Sequence, residues 1–495
     1  MSLQNVIQLV KTLSKSEKRS FKLLANRTAG DKDYIHLFEL IDKSNDTNVK
    51  EDVSERFGEQ YPKASIDNTS RYLLNFIVDN LTISKTKEDF FNGILYGLIK
   101  VNILIDRNLI NLAVKELKRL ECMAIESQNH LMSFLCIRYQ LNLLLKDNLR
   151  NVAEKKLVEL QMKAKDNLKA CMNIHEHSVL YELLRHRITN TGKSISEEER
   201  LKLNDLVLSE MAIVSTRIKD NFDSKKLHLL FQSFFFSDIG DYTSAYRTFY
   251  DLNNLMEKNI ALQSPPLDYL SSLDGILDSL RTTKGFDKMP FYIERLKTLD
   301  TSLQSENFRH LVRKSISIYE LVLLLGENDL QNALQVVENQ NTKDIYAFRF
   351  ADEEKQNELF FYIALTYFLN KKYKKAAKYI NEVVFISRAA SYSLIYRAST
   401  LLSILIRYES DYRTDMDYAI RTFKRTFSKE GQLFKAEKIL FKVFLHNPKI
   451  SSKQRNKMLW EKIEPDVVKI NKDKFEKQLL RYFDFPRWVS SYFAS

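Results

Sequence analysis

Apolar residues recur at helical spacing along almost the whole chain, separated by short polar breaks. Near the start, Ser14-Lys15-Ser16-Glu17 has the form of a capping box, in which the Ser hydroxyl and the Glu carboxylate each satisfy a backbone N–H left unpaired by a helix start. The box predicts a helix to about Arg27, broken by Gly30 and Asp31. Tyr34, Leu37, Phe38 and Ile41 at i, i+3, i+4, i+7 predict the next helix. A short helix over residues 49–57 is expected to stop at Gly58, and a longer one over 64–83 to carry Tyr72, Leu73, Phe76, Ile77 and Asn80 in register. Residues 1–90 are therefore expected to form a helical N-terminal subdomain.

From about residue 91 a repeat emerges, clearest over 357–384. Phe360, Ile363, Ala364 and Tyr367 fall at positions 4, 7, 8 and 11 of a first helix, and Tyr373, Ala376 and Ile380 at 17, 20 and 24 of a second. This segment resembles a tetratricopeptide repeat (TPR), in which small residues at the eighth and twentieth positions let two antiparallel helices approach closely. It lacks the family's usual late proline; residues 387–389 stand there. Fainter copies of the second-helix signature are Ile110/Ala113/Leu117, Tyr242/Ala245/Phe249 and Leu330/Ala333/Val337, with Ala153 and Ala419 as weaker members. The spacing predicts two degenerate units near residues 199 and 289, the first opening on a capping box at Ser196 and the second punctuated by Pro265, Pro266 and Pro290. The segments SEKRSFK (16–22) and YFDFPRW (482–488) are similar to bacterial TPR-like proteins of uncharacterised function, a likeness that implies no activity.

One helix pair cannot cover its own apolar face, whereas stacked pairs bury a continuous core and leave a concave surface. The resemblance implies an all-α, right-handed α-solenoid: TPR-like repeats over 91–430, after the 1–90 subdomain and before basic helices over 431–495 that cap it.

Composition supports the all-helical reading. Ten glycines and seven prolines in 495 residues are too few for a turn-rich β-sandwich or barrel. Neither G-x-G-x-x-G nor G-x-x-x-x-G-K-[ST] can be written anywhere, which removes the common phosphate-cradling loops. The most apolar stretch, 316–325, is too short to span a bilayer and carries Glu320. Residues 1–10 lack a basic start and a cleavage site, so no secretory signal is expected. Cys122, Cys136 and Cys171 lack C-x-x-C spacing and are expected to be buried, reduced thiols of a cytoplasmic protein.

Charge sharpens the picture. Residues 371–495 carry 27 basic and 13 acidic side chains, a net of +14, whereas the preceding 370 residues carry 49 and 51. The excess is concentrated over 421–457, with 11 basic and two acidic residues. Lys435, Lys438 and Lys442 form one stripe, and Arg421, Lys424 and Arg425 share a side opposite Phe423 and Phe427. This is a structured basic face. It can serve solubility, dock an acidic protein segment, or meet nucleic-acid phosphate.

Other candidate chemistry is thin. Cys171, His175, Glu182 and His186 share a helical stripe, but the two histidines lie 11 residues, about 16 Å, apart. One metal ion with bonds near 2 Å cannot bridge that distance, so no metal site is expected there. No H-E-x-x-H, no G-x-S-x-G elbow and no singular carboxylate pair stands out, and neither a catalytic centre nor a cofactor is expected. Gly93 and Gly97, four apart, read as close helix packing rather than membrane dimerisation. In the aromatic run 231–250, Phe231 and Phe234 take the positions that TPR proteins direct at the concave groove. Residues 1–90 balance 14 basic against 14 acidic side chains, so they lack the positive charge that drives DNA binding. The expected function is that of a non-enzymatic adaptor binding a protein or peptide, acidic for preference, with nucleic-acid binding through the same basic face as the alternative.

Overall fold

The computed structural model describes residues 3–25, 33–44, 49–61, 65–85, 90–146, 149–150, 152–191, 197–215, 221–259, 266–301, 305–340, 352–386, 393–410, 416–427, 433–446, 451–470, 472–491 and 493. Among the described residues every regular element is helical and there is no strand. The chain forms two compact units, residues 1–171 and 172–495. The expected break at Gly30 and Asp31, the Ser196 cap, Pro265 and residues 387–389 lie outside the described residues.

The first unit opens with five helices, Leu3–Thr12, Lys15–Ala25, Asp33–Lys43, Val49–Gln60 and Ile66–Lys85. The last of them touches the other four. The capping box is made in both directions: the Ser14 N–H donates to Glu17 Oε2 at 2.7 Å and the Glu17 N–H to Ser14 Oγ at 3.3 Å. Tyr34, Leu37, Phe38 and Ile41 are all buried. Of the expected register in Ile66–Lys85 only Leu73 and Ile77 are fully buried, continuing a stripe with Thr69 and Ser70, while Tyr72 is exposed and packs its ring edge-on to Tyr34. Gly58 does not stop its helix, which continues to Gln60. A glycine there costs about 1 kcal/mol relative to alanine, less than burying Val53 and Phe57 on the same helix contributes. A second cluster joins Phe90–Asp106, Ile110–Glu126 and His130–Lys146. Here Gly97 permits the approach, since a Cβ would sit 2.3 Å from Leu120 Cδ2. Of the three free thiols only Cys136 is buried, which pushes its pKa up to about 11; Cys122 is exposed and Cys171 half-buried, because their helices turn those faces outward.

The second unit is built from helix pairs in chain order. First helices are Phe222–Asp238, Leu267–Thr283, Glu306–Gly326, Glu353–Leu369 and Leu394–Glu409. Their partners are Tyr242–Lys258, Met289–Leu299, Leu330–Asn339, Tyr373–Ile386 and Met416–Phe427. Consecutive helices pack on one another, and from Leu267–Thr283 onward each first helix also packs on the next first helix. Glu353–Leu369 is consequently buried on every side between Gln356 and Phe368, rather than along a single stripe.

A recurring turn produces the pairing. Gly240, Lys284, Asn328 and Lys371 have left-handed backbones, with φ of 76°, 60°, 64° and 59°. After each, the next N–H returns to a carbonyl five residues back, as in Asp329 to Leu324 and Lys372 to Tyr367, both 2.8 Å. This is the Schellman closure of a helix C-terminus. Five residues after each left-handed position stands a fully buried residue of the second helix: Ala245, Met289, Ala333 and Ala376. Asn108 and Ala113 repeat the relation in the first unit. The degenerate unit expected near 289 thus exists, with methionine in place of alanine. Ala153 does not belong to the series: it is exposed and precedes the helix Glu154–Thr191. Ala419 is only half-buried, and Ile420 takes the core position.

After Lys435–His446 and Lys453–Ile470, the last described stretch turns back along the row of first helices. Its short helix Lys477–Leu480 touches both Leu267–Thr283 and Leu394–Glu409. Gln478 Nε2 donates to the Asp238 carbonyl at 2.8 Å. The Lys474 carbonyl approaches Gly240 so closely that a Cβ there would lie 2.2 Å from it. Tyr482, Phe485 and Val489 are buried. No helix among the described residues is long and apolar enough to cross a membrane.

Candidate functional site

Where the first helices and the returning C-terminal stretch meet, the second unit buries a cluster of charge. Leu267–Thr283 presents Asp274, Asp278 and Arg281 at i, i+4, i+7, and Glu353–Leu369 presents Lys355, Glu358 and Tyr362 at i, i+3, i+7. Glu306–Gly326 adds Tyr319, and the C-terminal stretch adds Arg481 and Tyr482. Arg281 donates through Nη1 to Glu358 Oε1 and to the Tyr362 hydroxyl, both 2.7 Å, and through Nη2 to Asp278 Oδ1 at 2.6 Å. Its guanidinium carbon lies 5.3 Å from the centre of the Tyr482 ring. The Tyr319 hydroxyl reaches the Asp274 carbonyl and Asp278 Oδ1, each at 3.0 Å. Lys355 Nζ sits 3.2 Å from Asp274 and 3.7 Å from Glu358. Arg481 closes the cluster with Asp278 at 3.5 Å and a bond to the Tyr482 hydroxyl.

Three carboxylates therefore face three cations. Burial works against the charge on Arg281, Lys355 and Arg481, but neighbouring acids and phenols outweigh it and hold all three firmly protonated. Burial pushes Asp274 up to about 6 despite the pull of Lys355, with Asp278 adding to the rise. The phenols of Tyr319, Tyr362 and Tyr482 are driven upward, chiefly by burial. Breaking such a set by removing one partner strands a buried charge at a cost of about 3–5 kcal/mol.

Beside the cluster lies a cavity of about 530 Å³. Phe234, Tyr242, Phe249 and Tyr482 supply aromatic wall; Asp274, Glu358 and the first turn of Glu353–Leu369 supply carboxylates. Phe234 lies on this wall, half-buried, with the Arg185 guanidinium 4.3 Å from its ring centre. Phe231 is not available to a partner: it is 3% exposed and packs with Leu180, Leu184, Leu203 and Leu206. The two stand three apart on one side of the helix, and Phe234 packs against the same cluster but lies at its margin, where it also lines the cavity.

The six basic residues fall on two adjacent helices of the second unit. Arg421, Lys424 and Arg425 are exposed on Met416–Phe427, whose opposite side buries Ile420, Phe423 and Phe427. Lys438 and Lys442 are exposed on Lys435–His446 above a nearly continuous buried face. Lys424 Nζ stands 5.7 Å from the Phe441 ring centre, which ties the two helices' basic sides together. Among the described residues, none of these five has an ion-pair partner. Lys435 differs, being paired with Asp473 at 2.8 Å. The helix start is held internally: Glu476 accepts the N–H groups of Lys435 and Ala436 at 2.7 and 3.1 Å, and Glu437 makes a buried bidentate pair with Arg397 at 2.5 and 2.7 Å. Buried anions at the N-terminus of a helix are favoured by its dipole.

His175, Glu182 and His186 are exposed along Glu154–Thr191, and no group of three or more potential metal ligands exists among the described residues. His177 is buried beside the pair His228–Glu210, and burial lowers its pKa. Neither this pair nor the Arg281 cluster is marked by a sequence motif. The only available signal was a polar stripe at helical spacing on otherwise apolar helices, Asp274/Asp278/Arg281 and Lys355/Glu358/Tyr362.

No protein-family model matches the chain, and no curated protein matches it.

Proposed function

We propose that this protein is a non-enzymatic adaptor or scaffold of the cytoplasm, in which the helix pairs of the second unit form a right-handed, TPR-like solenoid that presents a basic face to an acidic protein segment. The observation that carries this reading is the pair of adjacent helices displaying Arg421, Lys424, Arg425, Lys438 and Lys442 in exposed positions without ion-pair partners among the described residues. Their opposite sides are buried in the unit's main core, so the charges stand on a pre-organised surface and little ordering cost accompanies binding. Guanidinium and ammonium groups so placed make charge-assisted hydrogen bonds to carboxylates and speed encounter. The row of first helices is not the docking groove in this reading, because the C-terminal stretch packs along it. Polyanionic nucleic acid is the second reading, favoured by the same uncompensated charge.

The deciding experiment is affinity capture from the native cell with the full-length protein and with Arg425→Glu/Lys438→Glu, together with titration of RNA and duplex DNA at two salt concentrations. Recovery of an acidic protein by the wild type and a loss of at least about tenfold in the double variant are expected, since each lost charged hydrogen bond is worth about 1.5–3 kcal/mol. Equal recovery by both forms would refute the face. Nucleic-acid binding that collapses with salt, and no protein partner, would install the second reading.

A further inference from the structure

The helix Asn204–Ser215 is thinly held. Among its described residues only Leu206 and Glu210 are buried, while Leu208 and Met211 face outward, 67% and 61% exposed. Leu206 and Leu203 join a small cluster with Leu180 and Leu184 of Glu154–Thr191 and Phe231 of Phe222–Asp238. Glu210 makes the helix's buried polar contact, a hydrogen bond shared with His228 Nδ1 on Phe222–Asp238. An exposed tie, Arg187 to Asp205 and to the Lys202 carbonyl, fastens its first turn.

His177 stands where the three helices meet. It is 2% exposed, its ring meets that of His228 edge-on at 6.1 Å, and its Nε2 has no hydrogen-bond partner among the described residues. In a neutral imidazole one ring nitrogen is a bare acceptor, but in an imidazolium both are donors. Protonation would therefore leave a buried, charged N–H at Nε2 with nothing to accept it, and that is costly. The charged groups that act on the ring are Glu176 from its own helix, Glu210 from Asn204–Ser215 and His228 from Phe222–Asp238. Burial and the His228 ring hold the imidazole below its ordinary value, outweighing the pull of the two carboxylates, of which Glu210 is already bonded to His228.

We infer that this junction is an acid-sensitive latch: on mild acidification His177 takes up a proton, the helix Asn204–Ser215 comes away from its neighbours, and Phe231 is uncovered together with Leu180 and Leu184. The docked helix excludes the proton, and the undocked one admits it at about 6.5, the value of a histidine in water. Docking is therefore strongest above that value and weakens as pH falls through it. Histidine is the side chain whose charge ordinarily changes in this range. The latch shares no residue with the basic face and does not depend on it.

Hydrogen exchange of the full-length protein, read segment by segment at about pH 7.5 and about pH 5.5 and expressed as protection factors, tests it. Protection over 204–215 should fall by about threefold or more at the lower pH, while Tyr242–Lys258, in the same unit, keeps its own. His177→Met, apolar and of similar reach, should leave protection over 204–215 alike at both values. The His177 ring resonance of the wild type, a readout that needs no variant, should titrate at lower pH than the histidines of the urea-unfolded chain. The inference is overturned if protection over 204–215 does not change with pH, if both helices lose it together, if His177→Met loses as much as the wild type, or if the ring titrates at or above the unfolded value.

Discussion

Asp274 shows what burial does to a single charge. It meets Lys355 at 3.2 Å, yet its carboxyl is pushed up to about 6 because the site removes water faster than one ammonium replaces it. Its unfolded value is about 3.9. A carboxyl raised on folding stabilises the native state below the unfolded value, and that contribution is lost as pH climbs through the folded value. The wild type should therefore lose about 2 kcal/mol relative to Asp274→Asn between about pH 4 and pH 7. Thermal melts of both proteins across that range measure it, and comparing the two cancels opposing titrations such as that of His177. A constant difference would mean that the carboxyl titrates as it does in water. Beforehand Asp274 was legible only as one member of a polar stripe, since one carboxylate among 64 acids becomes special only through what surrounds it.

At the scale of the helix, the repeat was legible through its alanines but its cause was not. Ala245, Ala333 and Ala376 are buried because each stands five residues past a left-handed turn that aims the second helix back at the first. Spacing alone admitted Ala153 to the same series, although it lies before its helix and faces solvent. The two positions should respond in opposite ways. Ala333→Leu overpacks a closed contact and should cost about 1–3 kcal/mol, whereas Ala153→Leu should stay within about 0.5 kcal/mol of the wild type. Urea unfolding of each variant decides; a costly Ala153 or a tolerant Ala333 would show that the turn does not set the packing. Gly58 teaches the converse lesson, that a helix-weakening residue yields when its neighbours Val53 and Phe57 are buried.

Across the second unit, the C-terminal stretch does more than finish the series. Arg481 answers Asp278, two hundred residues earlier in the chain, and Phe485 is fully buried. Phe485→Ala should cost about 3–5 kcal/mol in the cooperative unfolding of this unit. A loss below about 1 kcal/mol, read by chemical denaturation, would mean that the stretch is only loosely applied. The concentration of positive charge in residues 371–495 could be counted in advance, and Arg421, Lys424, Arg425, Lys438 and Lys442 do occupy exposed positions. That Lys435 is committed to Asp473, and that Phe231 is core while Phe234 reaches the cavity, could not.

Local periodicity determined the helices and the basic sides of two of them, because each depends on residues three to seven apart in the chain. The cavity, the balance of charge around Arg281 and the path of the last residues depend on side chains from segments far apart in the chain meeting in one place. Only the tertiary structure decided those, since the energy of a buried charge is set by its neighbours in space and not by its neighbours in sequence.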